Sequence, residues 1–204
     1  MAEQSDRPTA RRAGEGPSDG DLLRRFVEGD REALGQLVRR YEQPLFGYLV
    51  RMLGDASAAE DAFQQVCLRL VRGAGSYDPA RPVRPWLYTI ATNVCRRQGS
   101  RAARHRALRL DPGGGEEQPE VLGGLIADTA SPPESAERHE LAELVRQAVE
   151  TLTDHQREAF VLCHYQGLTY GEIARVVGRP LGTVKSDMFY ALRALRSKLE
   201  RYRR

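Results

Sequence analysis

The sequence predicts an all-α chain of two small helical domains joined by a flexible acidic linker, the C-terminal domain carrying a helix-turn-helix. Three observations lead there. Aromatics are only 7% of 204 residues, and Leu, Ala, Arg and Glu recur at helical spacing with few alternating runs of β-branched residues. Charge is segregated: residues 21–110 hold sixteen Arg against nine acids, residues 111–137 hold seven acids and no base, and residues 138–204 hold twelve bases against eight acids. The acidic strip also contains Pro112, Pro119, Pro132, Pro133 and the run Gly113-Gly114-Gly115. Such a segment repels itself, has little apolar area to offset the entropy of ordering, and is longer than loops within one domain. The division is a disordered leader over 1–20, a helical domain over 21–110, a linker over 111–137 and a second domain over 138–204.

The leader is rich in Gly, Pro, Ser and charge. Leu22, Leu23, Phe26 and Val27 make the first apolar face. Ala33, Leu34, Leu37, Val38 and Tyr41 make a second after the break at Gly29-Asp30, and Leu45, Phe46, Leu49, Met52 and Leu53 a third. Ser57-Ala58-Ala59-Glu60 reads as a capping box opening the next helix, whose stripe is Ala59, Ala62, Phe63, Val66, Cys67 and Leu70. Gly73, Gly75 and Pro79 end it, and Pro82 and Pro85 are expected to keep the following loop non-helical before Trp86, Leu87, Ile90, Ala91 and Val94 start another helix. In the second domain Leu141, Leu144, Val145, Ala148, Val149 and Leu152 share a face, and capping boxes begin at Thr153 and Thr169. A short helix from Tyr170 to Val177, the turn Gly178-Arg179-Pro180 and a final helix carrying Val184, Met188, Ala191, Leu192, Leu195 and Leu199 form the helix-turn-helix.

Several function classes find no residues to carry them. Cys67, Cys95 and Cys163 are odd in number and far apart on apolar faces, which fits a reducing compartment and buried thiols rather than a disulfide framework. His105, His139, His155 and His164 are paired neither with a nucleophile nor at metal-ligand spacing, so no catalytic residue, metal, cofactor or small-molecule substrate is expected. The N-terminus lacks the apolar segment of a signal peptide and no run reaches membrane-spanning length, so no membrane insertion and a cytoplasmic location are expected.

Two surfaces suit nucleic acid. In a helix-turn-helix the second helix lies in the major groove, which here presents Thr183, Lys185, Ser186, Asp187 and Tyr190, with Arg179 and Arg193 toward the DNA backbone. The alternative is a helical hairpin whose polar face is merely solvated. Between Asp78 and Asp111 there are eight Arg and no acid, beside Trp86, Tyr88 and Asn93. Unpaired bases stack on aromatic rings while Arg tracks phosphates. Trp86 reads equally as a core residue and as a base contact.

The run Ala59-Glu60-Asp61-Ala62-Phe63-Gln64-Gln65-Val66, followed by Pro85-Trp86-Leu87-Tyr88-Thr89-Ile90-Ala91-Thr92-Asn93, resembles the second conserved region of sigma factors of the extracytoplasmic-function group. The stretch Leu152 to Phe160, then Gly167-Leu168-Thr169-Tyr170-Gly171-Glu172-Ile173-Ala174 and Gly182-Thr183-Val184-Lys185-Ser186, is similar to that group's fourth region. The resemblance implies a subunit that binds core RNA polymerase, at the β′ clamp and the β flap, and directs it to promoter DNA. It implies clamp contact by Glu60, Asp61, Gln64, Gln65 and Leu68, and capture and melting of the downstream element by Arg84, Trp86, Tyr88, Asn93, Arg96, Arg97 and Arg101. The upstream element falls to the helix-turn-helix, and the acidic linker to the polymerase's basic channel. Gln65 stands where the family has an acid, and Asp187 where it has Arg. Asp187 is then a reader of a cytosine amino group, a repulsive charge, or a group neutralised by Lys185 or Arg193. The chain ends soon after its last helix, so regulation is expected from outside, by an anti-sigma protein. A free-standing helix-turn-helix regulator is the alternative, in which the clamp-like helix has no purpose.

Overall fold

The computed structural model describes residues 16–108 and 136–202, with side chains for 16–99 and 143–200; most of the leader, most of the acidic linker and the Arg101 side chain lie outside them. Order begins earlier than the sequence suggests. Ser18 caps α1 (Asp19–Val27): its hydroxyl accepts from the Asp21 amide while the Asp21 carboxylate accepts from the Ser18 amide, a capping box with Asp where Glu or Gln is usual. Residues 18–20 therefore belong to the first domain rather than to the leader.

The second and third apolar faces join into one helix, α2 (Arg31–Leu53), capped by Asp30 and ended by Gly54 at φ 73°. Pro44 lies inside it. The cap of α3 (Ala56–Gly73) is Asp55, which accepts from the Ala58 amide at 2.6 Å, so the helix starts before Ser57 and that box does not form. A 3₁₀ turn, Ala74–Ser76, leads toward α4 (Val83–Leu108). Pro85 sits in the first turn of α4 instead of blocking it, because an amide there has no helical acceptor to lose.

The second domain holds α5 (Ala136–Glu150), α6 (Asp154–His164), α7 (Tyr170–Val177) and α8 (Leu181–Tyr202). Both expected capping boxes form, Thr153 with Gln156 and Thr169 with Glu172. Gly178 closes α7 at φ 67°, the left-handed conformation that lets the chain turn sharply into α8. Because the Thr169 box sets the start of the short α7, Thr169→Ala should destabilise the protein by about 1 kcal/mol, read as a lower urea midpoint at unchanged slope. No strand occurs among the described residues.

Two apolar clusters form the core. The first gathers Leu22, Leu23, Ala33, Leu37, Leu70 and Leu87 from α1 to α4; Val27, expected on that face, is exposed. The second runs from Leu45, Tyr48, Leu49, Val66 and Val94 into Ala148, Val161, Leu162, Ile173, Val184 and Ala191 without interruption. The two bundles thus pack on one another, α4 against α7 and α2 against α6, where the linker's composition suggests modules free of each other. The reason lies in α4. Beside its expected stripe of Leu87, Ala91 and Val94, a second one of Tyr88, Thr92 and Cys95 is also buried. Periodicity identifies apolar faces but does not say which bundle covers them.

Candidate nucleic-acid interface

Along α8, Thr183, Lys185, Ser186, Tyr190 and Arg193 are exposed on the outer side, while Val184, Met188, Ala191 and Leu195 are buried beneath. Leu192, assigned to the core by periodicity, is instead 52% exposed, and Phe189, which that reading passed over, is 61% exposed. Their spacing of three puts them on one face, the signal that was available. Arg179 and Asp187 turn inward. Arg179 Nη1 lies 2.6 Å from Asp187 Oδ2 and its Nη2 3.5 Å from Glu158 Oε2, with the two side chains only 15% and 18% exposed. In this arrangement the pair fastens α6, the turn and α8 together, and neither is presented to a groove. Arg179, rather than Lys185 or Arg193, is the group that neutralises Asp187.

The candidate clamp residues occupy the outer side of α3. Glu60, Asp61, Gln64 and Leu68 are exposed and Gln65 is half-buried, so the stripe is not used by the bundle's own core. Leu68 is 56% exposed, and Val71, one turn further, is also exposed.

On α4 the candidates divide. Asn93 and Arg97, one turn apart, are exposed. Trp86 is half-buried against the first cluster, its ring 4.8 Å from that of Tyr77 and its edge close over Gly73. Arg84, Tyr88 and Arg96 face the second domain. The Tyr88 ring is fully buried, edge-on to Tyr48 at 5.4 Å, and its hydroxyl donates to Gln166 Oε1; Arg84 donates to the Gln166 carbonyl. Arg96 grips Glu158 with two parallel bonds of 2.7 Å and donates to the Val177 carbonyl at 3.2 Å. Bonding to Glu158 raises the Arg96 pKa against the opposing effect of burial, so the guanidinium stays charged. Burial, then the charge of Glu158, pushes the Cys95 thiol up to about 12. Burial raises Cys163, and burial with Glu42 raises Cys67, so none of the three is poised as a nucleophile.

Residues 37–105 match sigma-70 region 2 and residues 142–195 match sigma-70 region 4, which places the clamp stripe, the α4 set and most of α8 within known regions. The chain belongs to the sigma-70 family. The RNA polymerase sigma-H factor of Pseudomonas aeruginosa is 32% identical over 184 residues, spanning 89% of this chain and 94% of that protein. The ECF RNA polymerase sigma factor SigK of Mycobacterium tuberculosis is 30% identical over 187 residues, spanning 88% and 92%. Two solved structures share the helical fold of this sigma factor. CnrH in complex with the cytosolic domain of CnrY aligns with a TM-score of 0.64 at 23% identity, covering 90% of this chain and 98% of that one. The sigma factor RpoE in complex with the anti-sigma factor NepR, from Bartonella quintana, aligns at 0.63 and 22% identity, covering 81% and 96%. Among the described residues no helix is long and apolar enough to cross a membrane.

Proposed function

We propose that this sigma factor directs core RNA polymerase to specific promoters with three surfaces set on its two domains, the one opening at α1 and the other at α5. Glu60, Asp61, Gln64, Gln65 and Leu68 of α3 dock on the β′ clamp. Thr183, Lys185, Ser186, Tyr190 and Arg193 of α8 meet the upstream element, and the exposed Phe189 and Leu192 beside them suit an apolar contact with the β flap. Asn93, Arg97 and the open part of the Trp86 ring face the downstream element as α4 stands; Arg84, Tyr88 and Arg96 join them when α4 is uncovered, and Arg101 extends the same helix. Transcription initiation is then a binding function in which polymerase supplies the catalysis, carried out in the cytoplasm. An anti-sigma protein fits as the external regulator, since both fold neighbours were solved with a bound partner.

The α3 stripe carries this reading over that of a free-standing regulator. An outward row of acids and amides ending in Leu68 contributes little to its own fold, and a partner gives it a use. The paired change Gln64→Ala and Leu68→Glu should cut recovery of core polymerase at least tenfold with the helical spectrum unchanged, since exposed positions tolerate substitution within about 0.5 kcal/mol. Undiminished recovery would remove α3 from the polymerase interface. Failure of the unaltered chain to recover polymerase would favour the regulator.

A further inference from the structure

We infer that the linker residues Val121, Leu122, Leu125 and Ile126 dock into an apolar groove of the second domain, between α5, α6 and α8, and that they must leave it before the β flap takes that surface. The second half rests on the flap contact assigned above, while the docking rests on the groove and on the sequence.

The groove encloses about 540 Å³, far beyond the water-sized gaps that packing leaves inside a domain. Phe160 and Leu195 line it as buried residues, Val145 and Leu199 as half-buried ones, and Leu192, 52% exposed, completes its wall. α8 thus keeps an apolar face that neither α5 nor α6 covers.

The chain carries a segment fitted to this face. Val121, Leu122, Leu125 and Ile126, which lie outside the described residues, are the only large apolar residues of 111–137. Their spacing places all four on one side of a single helical turn. Gly123-Gly124 lies between them, and so short a turn with two glycines does not hold itself, so the stripe orders only against another surface. Acids bound it, Glu116, Glu117 and Glu120 before and Asp128 after, while α8 carries Lys185, Arg193, Arg196 and Lys198 against Glu200 and the inward Asp187. Arg196 lines the groove, and its open bond to Glu200 holds it only weakly.

The segment also reaches. Ile126 precedes Ala136, where α5 begins, by ten positions, and Val145 lies nine further along α5. Ten extended residues span up to about 33 Å and nine helical ones about 14 Å, so the segment can double back along α5 with slack. Tethered this closely, it meets the groove at an effective concentration on the order of millimolar, and a contact too weak for a separate peptide persists. A second copy of the chain has no such advantage.

Photo-crosslinking of the full chain, without polymerase or DNA, tests the docking. The probe is p-benzoylphenylalanine in place of Glu200, an exposed residue lining the groove. Trypsin releases the linker as one peptide, residues 110–138, because no base lies between Arg109 and Arg138, and fragmentation of that peptide locates the bond. The crosslink should fall within residues 121–126. Changing Leu122→Ser and Leu125→Ser together should lower its yield at least fivefold with the helical spectrum unchanged, and Leu199→Gln should do the same from the groove side. If Leu199→Gln fails to fold, the serine pair decides. In a mixture with isotope-labelled chain, each crosslink should stay within one chain. No crosslink to 110–138, an undiminished yield in the folded serine pair, or bonds joining labelled to unlabelled chains, which would mark a second copy as the occupant, would each overturn the docking. Core polymerase should lower the yield at least fivefold; a full yield in chain recovered with polymerase would overturn the exclusion. Recovery of polymerase, measured separately, reports on the sigma reading itself.

Discussion

Trp86→Ala lowers the yield of open promoter complex at least tenfold while closed complex falls less than threefold, once holoenzyme is matched for folded protein. The indole is half-buried on Tyr77 and Gly73. The substitution then costs stability below the 3–5 kcal/mol of a fully buried aromatic, about 2 kcal/mol, and leaves most of the chain folded. The part of the ring outside the core is what a flipped base would stack on, a contact that exists only after strands separate. Permanganate reactivity of unpaired thymines, set against footprints of the closed complex, measures the difference. Equal loss of both complexes with a native spectrum would leave Trp86 a packing residue only.

Asp187→Ala acts through the fold rather than through base recognition. With the carboxylate gone, Arg179 keeps only two longer approaches, to Glu158 and to the His155 carbonyl, each at 3.5 Å, from a site only 15% exposed. Removing one member of a buried pair costs about 3–5 kcal/mol, and partial exposure here brings that to about 2 kcal/mol. Urea unfolding should show this loss. Binding to duplexes varied across the upstream element, at one salt concentration, should weaken by a similar factor for every sequence. A loss of roughly 1–3 kcal/mol confined to a single base pair would instead mark Asp187 as a cytosine reader.

Helix existence was legible because it is written locally. The boxes at Thr153 and Thr169 and the glycine after Val177 put α6 and α7 where they are found. At α3 the same logic chose Ser57 over Asp55, since two capping residues stood close together and the stronger acceptor lay earlier. At α1 it passed over Ser18 because the box is completed by Asp21, not by Glu or Gln. The outward residues of α3 and most of those on α8 could also be placed, as each faces away from its own bundle. The closure of the domains could not. Tyr88 pairs with Gln166 across 78 positions and Arg96 with Glu158 across 62, and neither has a local signature. Asp187 shows the same limit: Lys185 and Arg193 were nearer along the helix axis in sequence, yet the partner came from the turn.

Pro44 falls at a revealing place in α2. Leu37 and Tyr41 before it belong to one apolar cluster, and Leu45, Tyr48 and Leu49 after it to the other. A proline at this position leaves the Arg40 carbonyl without its helical amide, and both residues lie on the exposed side, where water can replace the missing donor. The backbone ladder is thus one rung short where the helix passes between cores, on its exposed side. Such a rod bends more easily there than anywhere else along its length, so strain arriving from the second domain is absorbed at mid-helix before it reaches the packing of α1.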